Sequence, residues 1–154
     1  ENAGSLHDKL MHLGSKLVIE TIQQIKVGFV ETHTQSIKDT KTAYKLNKDN
    51  CKIDWDSSIE SIYNKVRGLH PYPAAWGLLS NGNEQLNIKV YEVKKHYKEH
   101  DHQTGQLINT KKSIKVAVNE GYIELINFKF PGKRQMDATS FLNGFTFHEN
   151  ARML

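Results

Sequence analysis

Cysteine, proline and long apolar runs are what this chain has least of. One cysteine, Cys51, excludes an intrachain disulfide and any paired-cysteine redox or zinc site. Its expected role is that of a small buried residue in a reducing compartment. No apolar stretch approaches the roughly 18 residues of a membrane-spanning helix. The first residues also lack the basic-then-apolar pattern of a targeting signal. The motifs of several enzyme classes are missing as well: no G-x-S-x-G elbow, no glycine-rich phosphate loop, no Cys–His pair at a nucleophilic spacing. There is no internal repeat and no low-complexity tract. Charge of one sign does not dominate either. The formal net charge is +4 in 154 residues, and most of the excess falls from Cys51 onward. That permits a polyanionic partner without requiring one.

What is present starts with two amphipathic helices. Ser5 and Asp8 form an S-x-x-D pair ahead of Leu6, Leu10, Leu13, Leu17, Val18, Ile22 and Ile25, which trace one face of a helix ending near Gly28. Such a stripe needs a surface to lie on. From Phe29 to Asn50 the chain is rich in Thr, Lys, Gln and Asn without a sustained period, which reads as a linker. A second helix follows, with Asp56 placed to cap it and Ile59, Ile62, Tyr63, Val66 and Leu69 at three- and four-residue steps. It meets His70-Pro71-Tyr72-Pro73, where each proline pushes its predecessor out of the α region, so an extended arm is expected. On that arm His70 and Tyr72 are expected to clip helix to sheet.

The period then changes to two. A strand around Trp76–Leu79 turns at Asn81-Gly82-Asn83 into Leu86, Ile88 and Val90. Leu107-Ile108, Ile114–Val118 and Tyr122–Ile126 supply three more strands, the last two joined by a tight turn at Asn119-Glu120-Gly121. Asp137 caps a short helix through Phe141 and Leu142 that ends at Gly144. Five short strands at hairpin spacing predict a mainly β fold, a small barrel with flanking helices. Trp55 and Trp76 are both expected in its core. His96, His100 and His102, with Glu99 and Asp101, form the one ligand-like cluster. Interleaved Lys94, Lys95 and Lys98 favour a solvated loop there, so no metal site is assigned.

Several segments, taken in order, resemble the C-terminal part of the methionyl-tRNA formyltransferase family. They are Ala3–Leu10, Tyr44-Lys45-Leu46 with Lys48-Asp49, and Ile53-Asp54-Trp55 with the Arg67 helix and His70–Trp76. Pro131–Asp137 and Phe141–Gly144 complete the series. The resemblance implies an OB-like barrel of about five strands, preceded by a detached helix and a linker. Residues 1–28 would be the last helix of a Rossmann-like formyl-transfer domain, 29–50 the linker, and 51–154 the barrel domain. That family's catalytic Asn, His and Asp have no counterpart among the matching motifs, so no catalytic residue is assigned and the chain alone is expected to be inactive. Formyl-tetrahydrofolate is implied as a substrate of the whole enzyme, with no cofactor in this portion.

The implied partner is initiator Met-tRNA in the cytoplasm, with no membrane involved. Lys45, Lys48, Arg67, Lys133 and Arg134 match the family's basic positions, and Lys89 joins them because its strand parity points it outward. Two readings compete. One is the C-terminal domain of a sugar-nucleotide formyltransferase, which handles no nucleic acid. The other is a non-enzymatic interaction module. The Leu6–Ile25 stripe, without its sheet, is expected to pair with its copy in a homodimer.

Overall fold

The structure, a computed structural model, describes residues 1–38 and 40–154. Asp39, inside the expected linker, lies outside the described residues. The elements run α1 (Ala3–Lys26), α2 (Ile59–Leu69), β1 (Ala75–Asn81), β2 (Glu84–Tyr97), β3 (Leu107–Asn109), β4 (Ile114–Val118) and β5 (Gly121–Lys129). The two-residue β6 (Met136–Asp137), α3 (Ala138–Leu142) and the two-residue β7 (Arg152–Met153) complete them. The antiparallel sheet has the order β3-β4-β5-β2-β1-β7, with β6 paired to β5. The five expected strands are β1 to β5.

Strand β2 is longer than its sequence suggests. It pairs with β1 over Glu84–Val90 and with β5 from Lys89 to Tyr97, and the register shifts between Val90 and Val93. Such a bulge bends a strand and increases its twist, which lets one strand serve both halves of a curved sheet. The edges then nearly meet. Gly105 N–H donates to the Ala117 carbonyl (2.8 Å), Met153 N–H to Gly105 (2.7 Å), and Leu107 N–H to Ala151 (3.2 Å). The result is a small, nearly closed barrel. Gly105 sits at φ +84°, and a Cβ there would run into the Met153 carbonyl. The closure therefore needs glycine.

The core lies between the barrel and α2. Ile59, Ile62, Val66 and Leu69 of α2 are buried with Val90, Ile123, Leu125 and Phe128. Each such aliphatic side chain contributes about 1.5–3 kcal/mol at most. At the other end Phe128, Phe130 and Phe141 pack ring on ring beside α3. Cys51 and Trp55 are buried as expected.

Three local expectations are corrected. Ser58, not Asp56, caps α2: its hydroxyl accepts from Ser61 N–H at 3.2 Å, while Glu120 reaches across to accept from Ile59 N–H at 2.9 Å. The α1 capping box is Asn2 with Ser5, two reciprocal side-chain-to-backbone bonds, rather than Ser5 with Asp8. Asparagine here offers both the acceptor and the extended backbone a cap needs. The Pro71–Pro73 segment is a turn, not an extended arm. His70 has the extended dihedrals expected before proline, but both X–Pro bonds are cis and Ala74 N–H closes back on the Leu69 carbonyl at 2.9 Å. The rule for a pre-proline residue sets its φ and ψ, not the path of the whole segment. The Asp137 cap of α3 stands as expected, with Ser140 N–H at 2.7 Å.

Helix α1 touches the rest of the molecule at its first turn, where Gly4 N–H donates to the His70 carbonyl at 3.0 Å. None of its residues is buried. Gly105→Ala is expected to lower unfolding free energy by about 1–3 kcal/mol. Gly68→Ala, exposed in the last turn of α2 with open space around the new methyl, is expected to raise it by about 0.4–1 kcal/mol. Urea unfolding of the two variants reads both signs.

Candidate nucleic-acid interface

The outward face of the barrel carries a lateral ladder that sequence order does not show. The segment at 51–53 runs beside β1: Ile53 N–H donates to the Trp76 carbonyl (2.7 Å) and Trp76 N–H to Cys51 (3.1 Å), which puts Lys52 opposite Trp76. Trp76 in turn faces Lys89 on β2, and Lys89 faces Lys129 on β5. Alternation decides the side. Cys51, Ile53, Ala75, Gly77, Ile88, Val90, Phe128 and Phe130 point in and are buried, so the residues between them point out. With neighbouring strands about 4.8 Å apart, the row Lys52–Trp76–Lys89–Lys129 spans roughly 14 Å.

A fourth lysine joins from the end of the linker. Asn47 and Asn50 bond reciprocally, each backbone N–H to the other's side-chain oxygen at 2.8 and 2.9 Å, and Asn50 also holds the Lys45 carbonyl. This fixes the turn that carries Lys48. The Trp76 indole N–H donates to the Lys48 carbonyl at 2.7 Å. Its ring lies under two ammonium groups, Lys48 at 5.3 Å and Lys52 at 5.8 Å. Both distances are within the range of cation–π attraction. Trp76 was expected in the core; instead it is half-buried on the outer face and gathers two lysines.

The ladder carries an electrostatic cost. Like charges directly opposite on adjacent strands repel, and Lys89 and Lys129 are such a pair. Neither forms an ion pair among the described residues; Lys89 reaches only the Pro73 carbonyl, at 3.4 Å. An anion on this face would relieve that repulsion.

The expected basic residues divide in two. Lys48 and Lys89 belong to the ladder, and Lys45 is exposed just before it. Lys133 and Arg134 are exposed at the turn after β5, where Lys133 N–H donates to Phe130 and its ammonium lies 5.9 Å from the Phe141 ring centre. Arg67 is elsewhere. It lines a cleft of about 430 Å³ between α1, α2 and β2, donating to Asn64 (2.7 Å) and to the Glu1 carbonyl (3.3 Å). Lys52 and Lys129 were missed, although Cys51-Lys52-Ile53 and Phe128-Lys129-Phe130 both show a lysine between apolar residues.

The histidine cluster is in part the solvated loop expected of it: Lys98, Glu99, Asp101 and His102 are exposed and outside any strand, while His96 and His100 are held. His96 lies within β2 and pairs with Glu124 at 2.5 Å. His100 Nε2 meets the Val118 and Gly121 carbonyls at 3.0 and 2.8 Å, while its Nδ1 accepts from His102 N–H. The ring bonds fasten this loop to the β4–β5 hairpin. No three His, Cys, Asp or Glu side chains converge as metal ligands among the described residues.

Helix α2, which positions Arg67, is tied to β2 through Glu60. Lys95 and Tyr97 both donate to its carboxylate, at 2.5 and 2.6 Å. The Lys95 and Tyr97 bonds hold the Glu60 carboxyl below its ordinary range, and the Glu60 bond raises the Tyr97 phenol to about 12. The Glu60 contribution is present above the ordinary carboxylate pKa and is lost as pH falls through the depressed value. The Tyr97 contribution is present below the ordinary phenol pKa and is lost as pH rises through about 12. Both groups are exposed, so salt screens the effect. Glu60→Gln should move the Tyr97 titration down toward the ordinary tyrosine value, read from its ring resonances by NMR. An unmoved titration would mean that another group raises it.

Comparison with known proteins fits this architecture. Residues 45–146 match the family model described as formyl transferase, C-terminal domain. The methionyl-tRNA formyltransferase of Flavobacterium johnsoniae is 51% identical over 99% of this chain and 49% of its own length. That of Bacteroides thetaiotaomicron is 36% identical over 99% of this chain and 49% of its own length. The chain thus spans about half the length of the curated relatives it matches. A crystal structure of a substituted variant of HypX from Aquifex aeolicus shares the fold, with a TM-score of 0.56 at 14% identity, covering 86% of this chain and 24% of that one. From the matched barrel and these relatives, the chain belongs to the family of formyl transferase C-terminal domains.

Proposed function

We propose that this chain is the RNA-holding part of a methionyl-tRNA formyltransferase, in which the outer barrel face lies along the phosphate backbone of initiator Met-tRNA. The observation that carries the reading is the ladder Lys52–Trp76–Lys89–Lys129, extended by Lys48 and adjoining Lys133 and Arg134. It supplies cations in a line, two of them opposed with no ion-pair partner among the described residues. It offers no fork of donors arranged to read a base edge. Such a surface gives affinity and position rather than sequence readout. Formyl transfer from formyl-tetrahydrofolate falls in this reading to the half of the relatives' length that the chain does not span. The relatives' names support it.

The same reading divides the chain: 1–28 as the closing helix of the formyl-transfer domain, 29–50 as the linker, 51–154 as the barrel domain. It is supported by α1, whose Leu10, Leu13, Leu17 and Ile25 are all more than half exposed and lie outside the matched 45–146. In the chain by itself, a second copy would cover that face. Leu10→Lys with Leu17→Lys should then turn a dimer into a monomer in light scattering and leave the barrel's unfolding midpoint unchanged. A wild-type chain that stays monomeric at high concentration with α1 helical would retire the dimer.

Binding to tRNA, measured against salt, tests the main proposal. Each phosphate contact adds about 0.7–0.9 to the slope of log K against log salt. Lys89→Ala with Lys129→Ala should therefore weaken binding and flatten the slope by about 1.5. Unchanged affinity and slope would remove the ladder from the interface. A wild-type chain indifferent to tRNA would favour the sugar-nucleotide reading.

A further inference from the structure

The Pro71–Pro73 turn carries one side chain that folding leaves without a task. His70, expected to share with Tyr72 the work of clipping helix to barrel, does it alone. Its ring stands edge-on to Tyr91 at 6.0 Å and its carbonyl accepts from Gly4. Tyr72 is 85% exposed and has no hydrogen bond among the described residues. It stands at the rim of a cavity of about 300 Å³ whose walls include Leu46, Lys48, Pro73, Trp76 and Lys89. The two lysines in that wall belong to the ladder, and the Lys89 ammonium already lies beside the Pro73 carbonyl.

We propose that Tyr72 is a stacking platform for an unpaired base of the RNA whose phosphates rest on Lys48 and Lys89. The site rests on the function proposed above and adds a ligand class to it: a single-stranded nucleotide, not a duplex. Base–aromatic stacking is tolerant of sequence, because every base has a π face. A tyrosine ring has few torsions to immobilise. The two flanking prolines fix φ on either side of it, so little backbone freedom remains to be lost on binding. The volume is at the lower end of small-ligand pockets and is enough for a nucleotide base. Trp76, the other aromatic in the wall, is less suited. Its ring is occupied by Lys48 and Lys52, and its N–H by the Lys48 carbonyl.

Two RNA probes of equal length separate stacking from charge: a hairpin with a single-stranded 3′ tail and a blunt hairpin. Their binding to the full chain is followed by fluorescence anisotropy over a range of salt. Tyr72→Ala should weaken the tailed probe about tenfold at every salt concentration, with the salt slope unchanged and the blunt probe unaffected. Tyr72→Phe should bind both as wild type does. Lys48→Ala should flatten the slope for both probes. The proposal is overturned if Tyr72→Ala binds the tailed probe as tightly as wild type. It is equally overturned if that variant weakens both probes alike, or if it flattens the slope, which would make the ring a support for the lysines. A wild type that binds neither probe would overturn the RNA reading itself, and this site with it. Tyr72 is exposed, so circular dichroism of the alanine variant should match wild type.

Discussion

Because β2 bonds to β1 along its first half and to β5 along its second, the bulge between Val90 and Val93 governs most of what the molecule can do. That shift bends the strand and increases its twist between the half that pairs with β1 and the half that pairs with β5. With it, the sheet curls until the Met153 N–H donates to the Gly105 carbonyl. The same strand also sets the candidate face. Lys89 lies just before the bulge, where β2 still pairs with both neighbours, and so it is flanked by Trp76 on one side and Lys129 on the other. Curvature and the charge ladder come from one stretch of backbone.

Much of the fold was legible in the sequence because it repeats with simple periods. The apolar steps of α2, the alternation in β4 and β5, the two-residue turns and the Asp137 cap all stand where the residues put them. The second half of β2 did not show, and the bulge explains why. Val90 and Val93 both face inward three residues apart, which breaks the period of two, and the charged residues after them resemble a loop. Two helix caps were off by two and three residues for a related reason. Asn2, Ser58 and Asp56 are all capping types, and only the backbone at each site decides which one serves.

The candidate site was half legible. Lys48 and Lys89 were reachable from resemblance and parity. Lys52 and Lys129 became neighbours of theirs only through strand pairing between segments far apart in the chain. Net charge could not have revealed the row, because 17 acids against 21 bases average it away. Trp76 was misread for a different reason. An indole is apolar enough to belong to a core, yet here its ring face attracts ammonium groups and its N–H needs an acceptor. A position on the rim of the barrel satisfies both.

Trp76 also explains how a linker without regular structure can present charge in a fixed place. A lysine on a free chain loses side-chain and backbone entropy when it meets a phosphate, and that loss offsets much of the Coulomb gain. Here the loss is taken during folding instead. The Asn47–Asn50 turn, the indole bond to the Lys48 carbonyl and the two cation–π contacts hold Lys48 and Lys52 against the barrel before any partner arrives. The repulsion between Lys89 and Lys129 is likewise built into the free protein. Both arrangements shift cost from the binding step to the folded state, where the α2 and barrel core can carry it. In the proposed function, a mildly basic domain would thereby hold a polyanion without a large net charge.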